Sequence, residues 1–245
     1  MPLQCVVLAG GLGTRMRPFT HARPKALYPV LGRPFADWQL QLLASQGIDR
    51  VLYCIGHAGE ELREHVGDGR RFGLEVTWVS DGAELRGTAG ALRVAVDQDA
   101  LDEAFFLLYG DSYLRASMGD VAAAWRGSRL PALMTVLRNE DRWDSSNAIY
   151  ENGRVVLYDK SRPETLRGRM HWIDYGLSVV ERAVIRDMVP AGTVMDVADV
   201  MRRLSLDRQL AGYEVTERFY EVGSPQGVQD LEAYLRSLPS LPEAA

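Results

Sequence analysis

From residue 3 to residue 109, apolar runs alternate with segments of helical spacing, and this alternation does more than any other feature to limit the folds open to the chain. Strands are expected over 3–9, 50–55, 74–79 and 104–109, with helices near 35–46, 58–66 and 88–97 between them and a loop over 10–33. Such alternation builds βαβ units with right-handed crossovers and a largely parallel sheet. Ligands in sheets of this kind bind beyond the carboxyl ends of the strands, where the glycine-rich loop after the first strand, GTAGAL (87–92) and YGDS (109–112) all fall.

The second half changes character. A helix near 118–127 and a strand over 131–137 precede SNAIYENGRVVLYDK, whose Asn152-Gly153 is a strong hairpin signal. A strand over 172–180, a helix near 196–205, short strands near 211–215 and 218–222 and a helix over 225–237 complete the pattern, with residues 160–170 read as a loop. The expected fold class is α/β: a single Rossmann-like domain over 1–237, with a mixed, mostly parallel central sheet flanked by helices and a flexible tail over 238–245. At 245 residues one large domain is better accommodated than two.

The loop LAGGLGTRMRPFTHARPKAL, residues 8–27, carries Gly10, Gly11 and Gly13 together with Arg15, Arg17, Arg23 and Lys25. Glycines leave backbone N–H groups uncovered and tolerate positive φ, so the segment reads as a phosphate cradle. It is not a GxxxxGK[ST] loop, because Thr14 and Arg15 stand where the lysine belongs. Nor is it GxGxxG, since Met16 stands where the third glycine should.

What remains, GGxGTRxxPxTxxxPKxL, closely resembles the signature of the sugar-1-phosphate nucleotidyltransferases, with Pro18, Thr20, Pro24 and Leu27 also in place. The resemblance extends from residue 3 to about 235, closest to a short bacterial branch with heptose-1-phosphate guanylyltransferases and N-acetylmuramate-1-phosphate uridylyltransferases. It implies an enzyme that joins a nucleoside triphosphate to a sugar 1-phosphate and releases pyrophosphate by in-line displacement with the help of Mg2+. It also implies a nucleotide-binding part over about 1–115 and an acceptor-binding part over about 116–237. Arg15 would hold the leaving pyrophosphate and Lys25 the α-phosphate region. Leu8, Ala9, Gly10, Gly11, Gly13, Thr14, Asp81, Gly87 and Thr88 would bind the nucleotide. Asp111 in YGDS matches the family's Gly-Asp metal ligand. Glu221 in FYEVGSP stands where the family has aspartate, either as a direct ligand or as a carboxylate that orients water or a loop. Lys160 would meet the acceptor's phosphate. Asp174 and Gly176 lie where the family has Asn-x-Gly; aspartate there suits two vicinal hydroxyls, and equally a structural turn. A solvated loop is as good a reading for Asp81, Glu84 or Arg86 taken singly.

The bulk properties agree with such a reading. A formal charge of −5 speaks against nucleic acid, and no apolar run approaches membrane-spanning length. Cys5 and Cys54 lie inside apolar strands and read as buried thiols of a cytoplasmic protein. Trp125 and Trp143 read as core. His57 and His171 have no partner at suggestive spacing, so no nucleophile–His–acid arrangement is expected. Two other readings stay open: a cytidylyltransferase acting on a non-sugar phosphate such as phosphocholine, and a non-catalytic nucleotide-sensing subunit. Base, sugar and oligomeric state are not legible.

Overall fold

A computed structural model describes residues 3–10, 24–56, 59–82 and 84–239. In chain order the elements are β1 (Gln4–Leu8), a 3₁₀ turn (Lys25–Leu27), β2 (Pro29–Val30), β3 (Arg33–Pro34), α1 (Phe35–Ser45), β4 (Arg50–Ile55), α2 (Glu60–Val66), β5 (Glu75–Ser80), α3 (Gly87–Asp97), β6 (Ala104–Tyr109), β7 (Ser112–Tyr113), α4 (Met118–Ser128), β8 (Ala132–Arg138), β9 (Ala148–Glu151), β10 (Arg154–Tyr158), α5 (Glu164–Arg167), β11 (Trp172–Glu181), α6 (Arg182–Met188), α7 (Val197–Leu206), β12 (Leu210–Val215), β13 (Tyr220–Glu221) and α8 (Pro225–Arg236). The fold is α/β and Rossmann-like, with helices flanking its strands. It divides into two compact units: Met1–Leu85, Leu108–Tyr113 and Phe219–Ala245 form the first, Arg86–Leu107 and Leu114–Arg218 the second.

In the first unit β1 pairs in parallel with β4, and β4 with β5. Every residue of β1 is buried, as expected for a parallel strand covered on both faces. Both cysteines are buried and free, and desolvation raises their thiols, Cys54 to about 12. Val30, Phe35, Trp38, Tyr113, Val222, Val228, Leu231 and Leu235 form one apolar cluster, joining β2, α1, β7, the residue after β13, and α8. Tyr220 stacks on Tyr234, with ring centroids 4.7 Å apart. Helix α8 starts at a strong local signal: Ser224 caps the Gly227 N–H and Pro225 takes the first turn, where its missing N–H costs nothing.

In the second unit the strands run in the order β6, β11, β8, β12, β10, β9, and the pairing is mixed. β12 is parallel to β8, while β11 is antiparallel to β8 and β10 to β12. The β9–β10 hairpin turns through Asn152 (φ 48°) and Gly153 (φ 77°), the left-handed pair that a two-residue hairpin with right-handed twist requires.

Some elements differ from the sequence reading. The expected loop over 10–33 contains β2 and the first residue of β3, with a turn between them through Leu31 and Gly32, both at positive φ. The 160–170 segment contains the single turn α5, and α6 stands where no helix is expected. Trp143 is exposed rather than core, its ring flanked by the Arg142 and Arg218 guanidiniums at 5.3 and 5.6 Å.

Candidate active site

In the first unit three strand ends crowd together, and glycine makes that possible. A Cβ on Gly110 would sit 3.0 Å from the Ala9 Cβ, and the Gly110 N–H donates to the Leu8 carbonyl at 2.9 Å. Gly10 packs in the same way against Gly56, where a Cβ would come 3.2 Å from a backbone nitrogen and 3.6 Å from Asp81 Oδ2. Leu8, Ala9, Gly10 and Asp81 are thus brought together, with Asp81 buried and its N–H bonded to the Ile55 carbonyl.

Asp111 follows Gly110 at the end of β6. Its Oδ2 accepts from Lys25 Nζ at 2.9 Å, and both side chains are largely buried. Lys25 is held from behind: Pro24 fixes the entry to the 3₁₀ turn, the Tyr28 N–H closes on the Lys25 carbonyl, and Phe35 N–H donates to Tyr28. Asp111 is held by its own backbone. Its carbonyl accepts from Val222 N–H at 2.9 Å, and Glu221 lies opposite Ser112 in the β7–β13 pair. The Glu221 side chain folds over Gly223, and a Cβ on Gly227 would overlap the Glu221 carbonyl oxygen, so the first turn of α8 tolerates only glycine there. The sequence reading missed Gln39, buried on α1, whose Nε2 donates to the carbonyls of Tyr109 (3.0 Å) and Ser112 (2.8 Å) and so brackets Asp111. A polar residue on the apolar face of a helix is the signal that could have found it. Gly11, Gly13, Thr14 and Arg15 lie outside the described residues.

In the second unit the GTAG segment opens α3. Gly87 has φ +70°, and a Cβ there would lie 2.5 Å from the Met195 carbonyl oxygen; one on Gly90 would lie 2.8 Å from the Thr193 oxygen. The N–H of Ala89 donates to the Met195 carbonyl at 2.9 Å, and Met195 N–H donates to Arg86. Thr88 Oγ1 donates to Asp196 Oδ1 at 2.9 Å and accepts from Val197 N–H at 2.7 Å. Asp196 Oδ1 also caps α7 through the Ala198 N–H, and Oδ2 accepts from Lys160 Nζ at 3.2 Å. Burial alone would raise the Asp196 carboxyl; the Ala198 N–H, the Lys160 ammonium and the Thr88 hydroxyl outweigh it and hold it below the ordinary range. Nothing in the residue pattern of α7 distinguishes Asp196 from an ordinary N-cap, which is why the sequence reading missed it.

Asp174 and Gly176 fall where the β11–β8 register slips, between Asp174 and Ser178, and Gly176 has φ +95°. This irregularity lets Asp174 Oδ1 accept from its own chain at Gly176 N–H, 2.9 Å away, while Asn147 Oδ1 accepts from Asp174 N–H. Burial raises the Asp174 carboxyl to about 6, against the opposing pull of the Gly176 N–H, the Lys160 charge and the Tyr158 hydroxyl. A carboxyl raised in the folded state binds its proton there while the unfolded chain is ionised, so stability falls as pH rises through about 4 to 6. Asp174→Asn is therefore expected to stabilise the protein at pH 7.5 by at most about 3 kcal/mol, with the gain shrinking towards pH 4. Urea unfolding at both pH values checks this; a pH-independent gain would mean that ionisation of Asp174 is not its source.

Among the described residues no three His, Cys, Asp or Glu side chains gather as a metal group, and no helix is long and apolar enough to cross a membrane. The sequence profile of the MobA-like NTP transferase domain matches residues 5–212. A mannose-1-phosphate guanylyltransferase of Mycobacterium tuberculosis is 28% identical over 98% of this chain and 67% of its own length. A UTP–glucose-1-phosphate uridylyltransferase of Synechocystis is 26% identical over 89% of the chain. A glucose-1-phosphate thymidylyltransferase of Streptomyces antibioticus is 34% identical over 65%. The chain spans 58% and 45% of the length of the last two. Among solved structures, the UTP-bound UGPase from Acinetobacter baumannii has the same fold, with a TM-score of 0.77 at 16% identity, covering 98% of this chain and 96% of that one. HddC from Yersinia pseudotuberculosis complexed with GMP-PN gives 0.75 at 19%, covering 95% and 99%.

Proposed function

Because the chain belongs to the MobA-like NTP transferase family, whose members among its relatives are sugar-1-phosphate nucleotidyltransferases, we propose that it joins a nucleoside triphosphate to a sugar 1-phosphate, releasing pyrophosphate. The observation that carries this reading furthest is the Lys25–Asp111 pair at 2.9 Å beside the backbone of Glu221. Two phosphates must approach each other, and the protein has to supply fixed positive charge where the negative charge builds up.

In this reading residues 1–115 carry the donor side. Leu8, Ala9 and Gly10 offer backbone to the nucleotide, Asp81 faces Gly10, and Lys25 places an ammonium at the α-phosphate. Arg15 takes the leaving pyrophosphate on the strength of the sequence resemblance, with Gly11, Gly13 and Thr14 forming the cradle. For Gly87 and Thr88, the packing on 193–197 supports a framework role over direct contact with the base. Residues 116–237 carry the acceptor side, with Lys160 for the phosphate and Asp174 and Gly176 for hydroxyls. Asp174 accepts rather than donates when ionised, which suits an acceptor with free vicinal hydroxyls. The setting of such a reaction would be cytoplasmic.

Asp111 and Glu221 fit Mg2+: both are hard oxygen donors, and a sparse carboxylate set completed by phosphate oxygens is what this ion takes. When bound, Mg2+ would neutralise charge on the phosphates. Lys25 occupies one oxygen of Asp111, which leaves the other for the ion. If Glu221 is a direct ligand, Glu221→Gln is expected to raise the Mg2+ concentration for half-maximal rate several-fold, while Glu221→Asp retains substantial activity. A magnesium titration at saturating substrates decides this, and an unchanged midpoint in Glu221→Gln removes Glu221 from the metal site. The function itself is tested by a matrix of nucleoside triphosphates against sugar 1-phosphates, scored by pyrophosphate release. No release from any pair would overturn it.

A further inference from the structure

We propose that Asp196 is a positioning residue that holds the Lys160 ammonium in place for the acceptor's phosphate and ties it to the first turn of α3. The inference rests on the reading of Lys160 as the acceptor-phosphate cation. Capping α7 needs only one bond, from the Ala198 N–H to Oδ1, which a serine or asparagine supplies equally well. Asp196 does more. Its Oδ1 also accepts from the Thr88 hydroxyl, whose own oxygen is fixed by the Val197 N–H, so the carboxylate cannot rotate freely. Oδ2 is thereby aimed, and it meets Lys160 Nζ at 3.2 Å.

Lys160 is 66% exposed and follows the end of β10, on a stem with four rotatable bonds. Its neighbour Asp159 is already committed, to the Ser161 N–H and hydroxyl and to Arg202. An exposed ion pair of this kind adds little to stability, so its worth lies in where it keeps the ammonium. Of the three N–H donors of Lys160, Asp196 uses one and leaves two for phosphate oxygens. Without Asp196 the stem has to be ordered when the acceptor binds, at an entropic cost that raises the acceptor KM.

The test uses α-D-mannose 1-phosphate or α-D-glucose 1-phosphate, whichever the wild-type protein turns over faster, at saturating nucleoside triphosphate. Asp196→Asn keeps the cap and the shape but loses the charge, and Asp196→Ser keeps only the cap. Both are expected to raise the acceptor KM about five- to tenfold, with the nucleotide KM unchanged and only a small fall in melting temperature, larger for Asp196→Ser, which also leaves the Thr88 hydroxyl without its acceptor. Lys160→Met should raise the acceptor KM at least as much, and adding Asp196→Asn to it should change nothing further. If Lys160→Met raises the acceptor KM and Asp196→Asn does not, or if the two effects multiply in the double variant, the positioning role is overturned and the acceptor reading stands. If Lys160→Met leaves the acceptor KM unchanged, the acceptor reading of Lys160 falls and the inference with it.

Discussion

Replacing Asp111 with asparagine or alanine is expected to lower Mg2+-dependent pyrophosphate release by on the order of 10²-fold or more while the protein stays folded. The fold should survive because the backbone around Asp111 is held without its side chain. The Asp111 carbonyl accepts from Val222 N–H, Gln39 brackets the turn from Tyr109 to Ser112, and the apolar cluster of Trp38, Tyr113, Val222 and Leu231 closes beneath it. Some stability should still be lost, because the largely buried Lys25 ammonium loses its partner; a drop of about 1–3 kcal/mol is the usual scale for a stranded polar group. Thermal melting and pyrophosphate release measured on the same preparations separate the two effects. Near-wild-type release from Asp111→Asn would remove this carboxylate from the chemistry.

Lys25 is expected to matter as much. Lys25→Met keeps much of the aliphatic stem and removes the charge, and should cost on the order of 10²-fold in kcat/KM for the nucleoside triphosphate. Lys25→Arg keeps the charge but replaces a compact ammonium with a planar fork, which does not fit the single 2.9 Å contact to Asp111 Oδ2. It should recover only a small part of the loss. Full activity in Lys25→Arg would show that any positive charge serves there, and full activity in Lys25→Met would place Lys25 outside the reaction.

Much of the architecture was legible because the signals are local. The first strand is apolar throughout since both its faces are covered, Asn152-Gly153 turns a hairpin since only a left-handed pair matches strand twist, and Ser224-Pro225 opens α8 since both groups suit a helix start. Elements stabilised from outside were hidden. β2 and β3 are two residues each, with their turn tied to α8 by Glu232 accepting from Leu31 N–H, and α6 follows directly from β11 with no side-chain cap of its own. Trp143 illustrates a different limit: a large aromatic reads as core by type, but flanking guanidiniums can accommodate its ring at the surface.

By itself the sequence determined the α/β alternation, the strand ends at which Gly10 and Asp111 fall, the helix that the GTAG segment opens, and the residue types available there, since periodicity and turn chemistry act over a few residues. Only the tertiary structure decided the partners. Lys25 meets Asp111 across 86 positions of chain because packing between α1, β7 and α8 brings their turns together. Thr88, Lys160 and Asp196 converge because Gly87 and Gly90 leave room for the 193–196 backbone against α3. Contacts of that range depend on which surfaces exclude water together, and no local pattern in the chain records it.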